Sequence, residues 1–178
     1  MREILFAGFG GQGVLTSGLV MSQVAVFKGQ NATWIPSYGS AMRGGTANCT
    51  VKYGEGMIYN PAQEEPDLLL AMNGPSLQAF EPIVKPGGII LVNSDIITGD
   101  LNLRDDVSVH QVACSTLAQE IGQPRGANII MAAAIIKLLN DFSMEDGIQG
   151  MNDMFRKKGK QKFESGNVKA FECGYNAV

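Results

Sequence analysis

Six residues near the N-terminus, Gly8-Phe9-Gly10-Gly11-Gln12-Gly13, constrain this chain more than any other feature. They follow a continuous apolar run, Ile4-Leu5-Phe6-Ala7, that reads as a buried parallel strand. They precede a stretch from Val14 to Lys28 whose apolar residues recur at helical spacing until Gly29 stops it. Gly8, Gly10 and Gly13 fit the pattern G-x-G-x-x-G between a strand and a helix. Glycines there permit a tight turn and let the backbone approach a phosphate. The helix start adds free N–H groups and a positive dipole end. A dinucleotide site also needs an acid at the end of the second strand, to hold the ribose hydroxyls. The second strand reads as Ala32 to Pro36, and no acid lies near Pro36-Ser37. Three readings stay open: a phosphate-bearing ligand other than NAD(P), a free-standing NAD(P)-binding domain short of its acid, and a ligand-free tight turn.

A second loop, Tyr38-Gly39-Ser40-Ala41-Met42-Arg43-Gly44-Gly45, follows the second strand. At the carboxyl end of a doubly wound sheet it stands beside the glycine loop, where ligands bind. Arg43 among small residues can reach a phosphate or carboxylate, can lie free in solvent, or can join Tyr38 and Met42 in a subunit contact. From Ile4 to Gly54 there is no Asp or Glu, while Lys28, Arg43 and Lys52 lie inside that stretch. Such a region suits an anionic ligand rather than a cation.

Further along, Thr46 to Tyr53 alternates as a strand and is expected to form a hairpin with Met57–Tyr59 across Gly54-Glu55-Gly56. Asp67–Met72 and Ile89–Val92 read as buried strands and Val107–Val112 as a more exposed one. Helices are expected over 76–83, 115–121, 128–140, 141–158 and 161–171. The fold class is therefore α/β, a three-layer sandwich on a mostly parallel sheet, Rossmann-like with an added β-hairpin, as a single domain over 1–178. The first strand, helix and second strand should form one βαβ unit. Charged residues make up only 17% of the chain against ~25% in an average domain, which fits either burial against partner chains or a Gly- and Ala-rich core. A net charge of −3 gives no global basic footprint for nucleic acid. The longest apolar run, Ile129 to Ile136, is too short to span a membrane. Cys49, Cys114 and Cys173 lie far apart, so no iron–sulfur or zinc site is expected, and the odd count without a secretory signal points to a reducing cytoplasm. The single histidine, His110, reads as structural, and the basic run Arg156 to Lys162 as a solvated helix end or a docking face for an acidic partner.

Taken in order, these segments resemble the gamma subunit of the 2-oxoacid:ferredoxin oxidoreductases. That family has Gly-x-Gly-Gly-Gln-Gly after the first strand, matched by Gly8 to Gly13, and a Tyr-Gly…Arg-Gly-Gly segment, matched by Tyr38-Gly39 and Arg43-Gly44-Gly45. It has an Asp opening an apolar strand, like Asp67-Leu68-Leu69, and a Pro-Gly-Gly turn, like Lys85-Pro86-Gly87-Gly88. Asn128 matches an Asn that starts the apolar helix, and Asn167, Ala170 and Gly174 match a closing Asn-x-x-Ala-x-x-x-Gly. The resemblance covers essentially the whole chain. It implies a subunit that is not catalytic alone, in an enzyme that decarboxylates a 2-oxoacid on thiamine diphosphate, passes electrons to ferredoxin and transfers the acyl group to coenzyme A. Thiamine diphosphate and the iron–sulfur clusters would sit in partner subunits, the alpha and beta chains and a ferredoxin-like delta chain. Coenzyme A would contact this chain at Gly8, Gly10, Gly11, Gln12 and Gly13, with Ser40, Arg43 and Asn128 as further contacts. The alternatives of a free-standing NAD(P) domain and a ligand-free structural subunit remain beside it.

Overall fold

Strand β1 (Arg2–Phe9) is apolar on both sides, because both its faces are covered; Ile4 to Ala7 have no exposure at all. A computed structural model of the chain describes residues 1–39 and 44–178. Around β1 stand β2 (Asn31–Tyr38), β3 (Thr46–Gly54), β4 (Leu68–Ala71), β5 (Ile89–Asn93) and β6 (Ser108–Val112). The sheet order is β2-β3-β1-β4-β5-β6, with β1, β4, β5 and β6 parallel and β3 antiparallel to both its neighbours. The three-layer, mostly parallel α/β architecture read from the sequence is therefore observed.

Two pairings differ from the expectation. Residues 57–59 form no strand, and Met57 and Tyr59 are exposed. Strand β3 pairs instead with β1, from Arg2↔Tyr53 to Phe9↔Thr46, and with β2. The added hairpin is thus β2–β3, and its connection is the loop after Tyr38. The expected turn at Gly54-Glu55-Gly56 lost because β1 offers β3 a full-length, buried partner, which a three-residue strand cannot. As a result β1 and β2, joined by α1 (Val14–Phe27), run the same way but are separated by β3.

One face of the sheet, with Ile4, Phe6, Cys49, Val51, Leu68, Leu70 and Leu91, packs under α1, α3 (Cys114–Glu120), α4 (Ala127–Leu139), α5 (Met144–Lys157) and α6 (Glu164–Tyr175). The other face, with Leu5, Leu69, Ile90 and Val92, is covered by Leu77 of α2 (Gly74–Phe80) and by Val84 and Ile97. Each fully buried Leu or Ile contributes roughly 1.5–3 kcal/mol. Helix α4 is apolar all round because it lies between α1 and α6; Ile130 to Ile136 have no exposure. Gly174 permits the α4–α6 crossing, since a Cβ there would overlap the Ile130 carbonyl. Helix α5 starts at Met144 rather than Asp141. Ser143 caps it in a reciprocal box with Asp146, and Asp141 is engaged elsewhere. Among the described residues no helix is long and apolar enough to cross a membrane.

Asp141 ties the amino-terminal edge of the sheet. Its carboxylate accepts both arms of Arg2, at 2.8 Å each, and the Tyr53 hydroxyl at 2.7 Å. Asp67, beside it, accepts the Glu3 N–H at 2.7 Å and pairs with Lys85. Burial would raise the pKa of Asp141, but the hydrogen bonds from Arg2 and Tyr53 outweigh it and hold the carboxyl below the usual range. A depressed carboxylate contributes stability above its ordinary pKa and loses it as pH falls through the folded value. Asp141→Asn should therefore cost roughly 1–2 kcal/mol at pH 7, with the gap to the parent closing as pH falls below about 4, read by urea denaturation at both pH values. Gly174→Ala should cost roughly 1–3 kcal/mol by the same method. Gly74→Ala, where an added Cβ meets nothing within 4 Å, should be neutral or slightly stabilising.

Candidate functional site

At the carboxyl end of β1 the chain turns through Gly10 to Gly13 into α1. Two backbone hydrogen bonds knit this turn to the β2–β3 connection: Gly10 N–H to Gly45 O at 2.8 Å, and Gly44 N–H to Gly10 O at 3.2 Å. The two glycine loops are thus adjacent, as the sequence implied. Gly11 (φ 103°) and Gly13 (φ 78°) adopt left-handed backbone that other residues avoid. Among the described residues nothing lies within 4 Å of where a Gly11 Cβ would be, so this stretch of backbone faces the clefts. At Gly13 a Cβ would press on the Asn128 side chain at 2.7 Å, so the start of α1 abuts the start of α4. The Ser17 hydroxyl donates to the Asn128 carbonyl at 2.8 Å and holds the two helices together there.

Gln12 is turned inward. Its Oε1 accepts the Phe9 N–H at 2.7 Å and the Asn73 amide at 2.9 Å, and its Nε2 donates to the Met72 carbonyl at 3.1 Å. Asn73 in turn caps α2 by accepting the Ser76 N–H at 2.9 Å. The Gln12 amide therefore braces the end of β1 against the end of β4. Gly8 is also a packing position: a Cβ there would meet Gln12 Oε1 and Val14 Cγ1, both at 2.8 Å.

The glycine turn separates two clefts. One, of about 410 Å³, is lined by Phe9, Val14, Leu15, Tyr38 and Ala47 with the backbone of Gly11 and Gly13. The other, of about 560 Å³, has Gly11, Gly13, Asn93, Ser115, Arg125 and Asn128 on its walls. Of the sequence-derived site residues, Gly10, Gly11, Gly13 and Asn128 come together on these walls. Gln12 reaches the second cleft but spends its amide on the brace, Gly8 packs behind, and Ser40 and Arg43 lie outside the described residues. The reading from sequence missed Asn93 and Arg125. Each sits next to a turn recognised only as a loop, and nothing local says that the two turns meet.

Asp95, near Asn93, is the carboxylate closest in sequence to these walls. Burial would raise its pKa, but the hydroxyl and N–H of Thr116 and the N–H of Ser115 bind it and hold it low. Cys114, buried and near that charge, is pushed up to about 12, and burial pushes Cys49 up to about 12 as well. A thiol held in its protonated form is a poor nucleophile, which argues against a nucleophilic role for either. At the basic run, Arg156 pairs with Glu164 and Lys157 with Asp153, so part of that charge is internally matched.

Gln12→Ala leaves Phe9 N–H, Met72 O and the Asn73 amide without their partner. It should destabilise by roughly 1–3 kcal/mol in denaturant and speed amide exchange at Phe9.

The family model described as pyruvate ferredoxin/flavodoxin oxidoreductase matches residues 3–177. Ketoisovalerate oxidoreductase subunit VorA of Methanothermobacter marburgensis is 37% identical over 176 residues, 97% of this chain. The chain spans only 35% of that relative's length. 2-Oxoglutarate synthase subunit KorC of Methanocaldococcus jannaschii is 30% identical over 179 residues, covering 99% of this chain and 94% of its own length. Among solved structures, the gamma subunit of a keto/oxoacid ferredoxin oxidoreductase from Geobacter sulfurreducens superposes with a TM-score of 0.82 at 27% identity, over 99% of this chain and 98% of that one. The 2-oxoglutarate:ferredoxin oxidoreductase of Magnetococcus marinus, solved with 2-oxoglutarate, coenzyme A and succinyl-CoA bound, shares the fold at a TM-score of 0.85 and 22% identity; this chain matches 31% of that longer one. With a family model matched almost from end to end and a 30%-identical relative covered over 94% of its length, the chain belongs to the pyruvate ferredoxin/flavodoxin oxidoreductase family.

Proposed function

We propose that residues 1–178 act as one domain, the gamma-type subunit of a 2-oxoacid:ferredoxin oxidoreductase, and that the glycine turn holds coenzyme A while the acyl group is delivered to its thiol. The observation that carries this reading is the turn itself. Gly11 and Gly13 present backbone to open clefts at the start of a 14-residue helix that has no side-chain cap and no acid in its first turn. Free N–H groups at such a helix start favour a phosphorylated ligand. The gem-dimethyl and methylene groups of a pantetheine arm suit the wall of Phe9, Val14, Leu15 and Tyr38. The Magnetococcus marinus fold neighbour holds coenzyme A, which makes coenzyme A the first ligand to test.

The chain's own part is to bind and orient. Among the described residues no carboxylate, histidine or thiol lines the clefts. Thiamine diphosphate, the iron–sulfur clusters and the ferredoxin contact belong, in this reading, to alpha and beta chains and a ferredoxin-like delta chain in the cytoplasm. The NAD(P) alternative loses support from the topology. A dinucleotide domain places the strand carrying its ribose-binding acid beside β1. Here β3 occupies that position, and β2, one strand further out, ends at Tyr38 without an acid.

The test is kinetic and uses the complex assembled with its partner chains. Gly11→Asp should raise KM for coenzyme A on the order of tenfold, because a carboxylate would face a phosphate. Gly11→Asn, with the same backbone strain and no charge, should raise it much less. Equal KM values for the two variants would remove the phosphate contact. Turnover by this chain alone would refute the accessory role.

A further inference from the structure

We propose that the corner between α5 and α6 is a docking face for an acidic surface on the partner chain that closes over the glycine-turn end of the molecule. This face rests on the accessory-subunit reading above for the identity of its partner. Between Asp153 and Glu164 the chain carries five cations and two carboxylates, although its net charge is −3. The two carboxylates are engaged by Lys157 and Arg156. Lys158, Lys160 and Lys162 are exposed and have no ion-pair partner among the described residues, whereas Arg2, Lys28, Lys52, Lys85 and Arg104 all have one. Helix ends account for only one of the three. Lys158 follows the last turn of α5, where a cation is favoured. Lys160 and Lys162 precede the start of α6 at Glu164, where the positive dipole end disfavours a cation. Three clustered ammonium groups repel one another in the lone chain, and an acidic surface relieves that repulsion.

Helix packing sets this corner at the end of the molecule that carries the glycine turn. Lys28, just past the end of α1, pairs with Asp146 in the first turn of α5. Gly150, one turn later in α5, abuts Val24, one turn earlier in α1. The two helices are therefore antiparallel, and α5 finishes toward the start of α1. In α6, Gly166 abuts Gln123 and Ala170 abuts Gly126, and those two residues lead into α4, whose start meets Gly13. A chain whose reaction centre receives the coenzyme thiol has to cover this end, and in doing so it meets the lysines. Phe163 stands 46% exposed among them, with the Lys162 Nζ 5.1 Å from its ring centre. An aromatic contact bordered by cations fits a protein surface, which joins apolar contact to a charged rim that steers the approach. The net charge of −3 works against the uniform negative field of a nucleic acid.

The experiment measures binding of this chain to the partner chains of its complex by surface plasmon resonance, at about 0.05 M and about 0.3 M salt. A variant combining Lys158→Glu, Lys160→Glu and Lys162→Glu should bind on the order of tenfold more weakly at the lower salt, chiefly through slower association. The loss should shrink at the higher salt. Lys158→Gln, Lys160→Gln and Lys162→Gln together should weaken binding less, in the same direction. Lys137→Glu, in the last turn of α4 at the opposite end, should change it by less than about twofold. Once the triple Glu variant is driven fully into the complex, its KM for coenzyme A should equal the parent's, since none of the three lysines lines a cleft. Unchanged binding and salt dependence in the triple Glu variant overturn the docking face and leave the coenzyme reading untouched. An equal loss from Lys137→Glu overturns it too, because overall charge would then suffice. So does a short DNA duplex held by the parent and not by the triple Glu variant while assembly stays intact. Weakened assembly beside equal KM values for Gly11→Asp and Gly11→Asn keeps the docking face and removes the coenzyme contact.

Discussion

The start of α1 can touch the start of α4 because residue 13 has no side chain. With φ at 78° and Asn128 pressed against it, that position excludes a Cβ on two independent grounds, backbone conformation and space. The arrangement at the carboxyl end of the sheet follows from this contact. It brings two uncapped helix ends together and sets the polar cleft behind the turn. The Ser17 hydroxyl, bonded to the Asn128 carbonyl, holds the approach from inside the helix layer. The Gln12 amide holds it from the sheet by bridging the ends of β1 and β4.

Much of this was legible in the order of residues. The buried strands are short continuous apolar runs, and α4 is an unbroken apolar stretch; such signals are local, so the reading found them. Pairing is not local. Gly54-Glu55-Gly56 has the composition of a hairpin turn, yet β3 pairs from Thr46 to Tyr53 with the far-off β1, from Phe9 back to Arg2. Lys52 has the polar character of a surface residue. It lies buried at 4% exposure because Glu3, on the neighbouring strand, stands 3.3 Å from its ammonium and Glu64 closes over it.

The site divides in the same way. Gly10, Gly11 and Gly13 announce themselves by their spacing, and Asn128 by its place at a helix start. The inward turn of Gln12 could not be read, since its partners Met72 and Asn73 lie some sixty residues away. Asn93 and Arg125 sit at the ends of ordinary-looking segments. They gain meaning only when β5 and the α3–α4 connection are brought to the same cleft.

Gly11 and Gly13 line both clefts, so the partition between the apolar and polar compartments is one turn of main chain. For any two ligands that shared this wall and displaced it, linkage would require each to change the affinity of the other by the same factor.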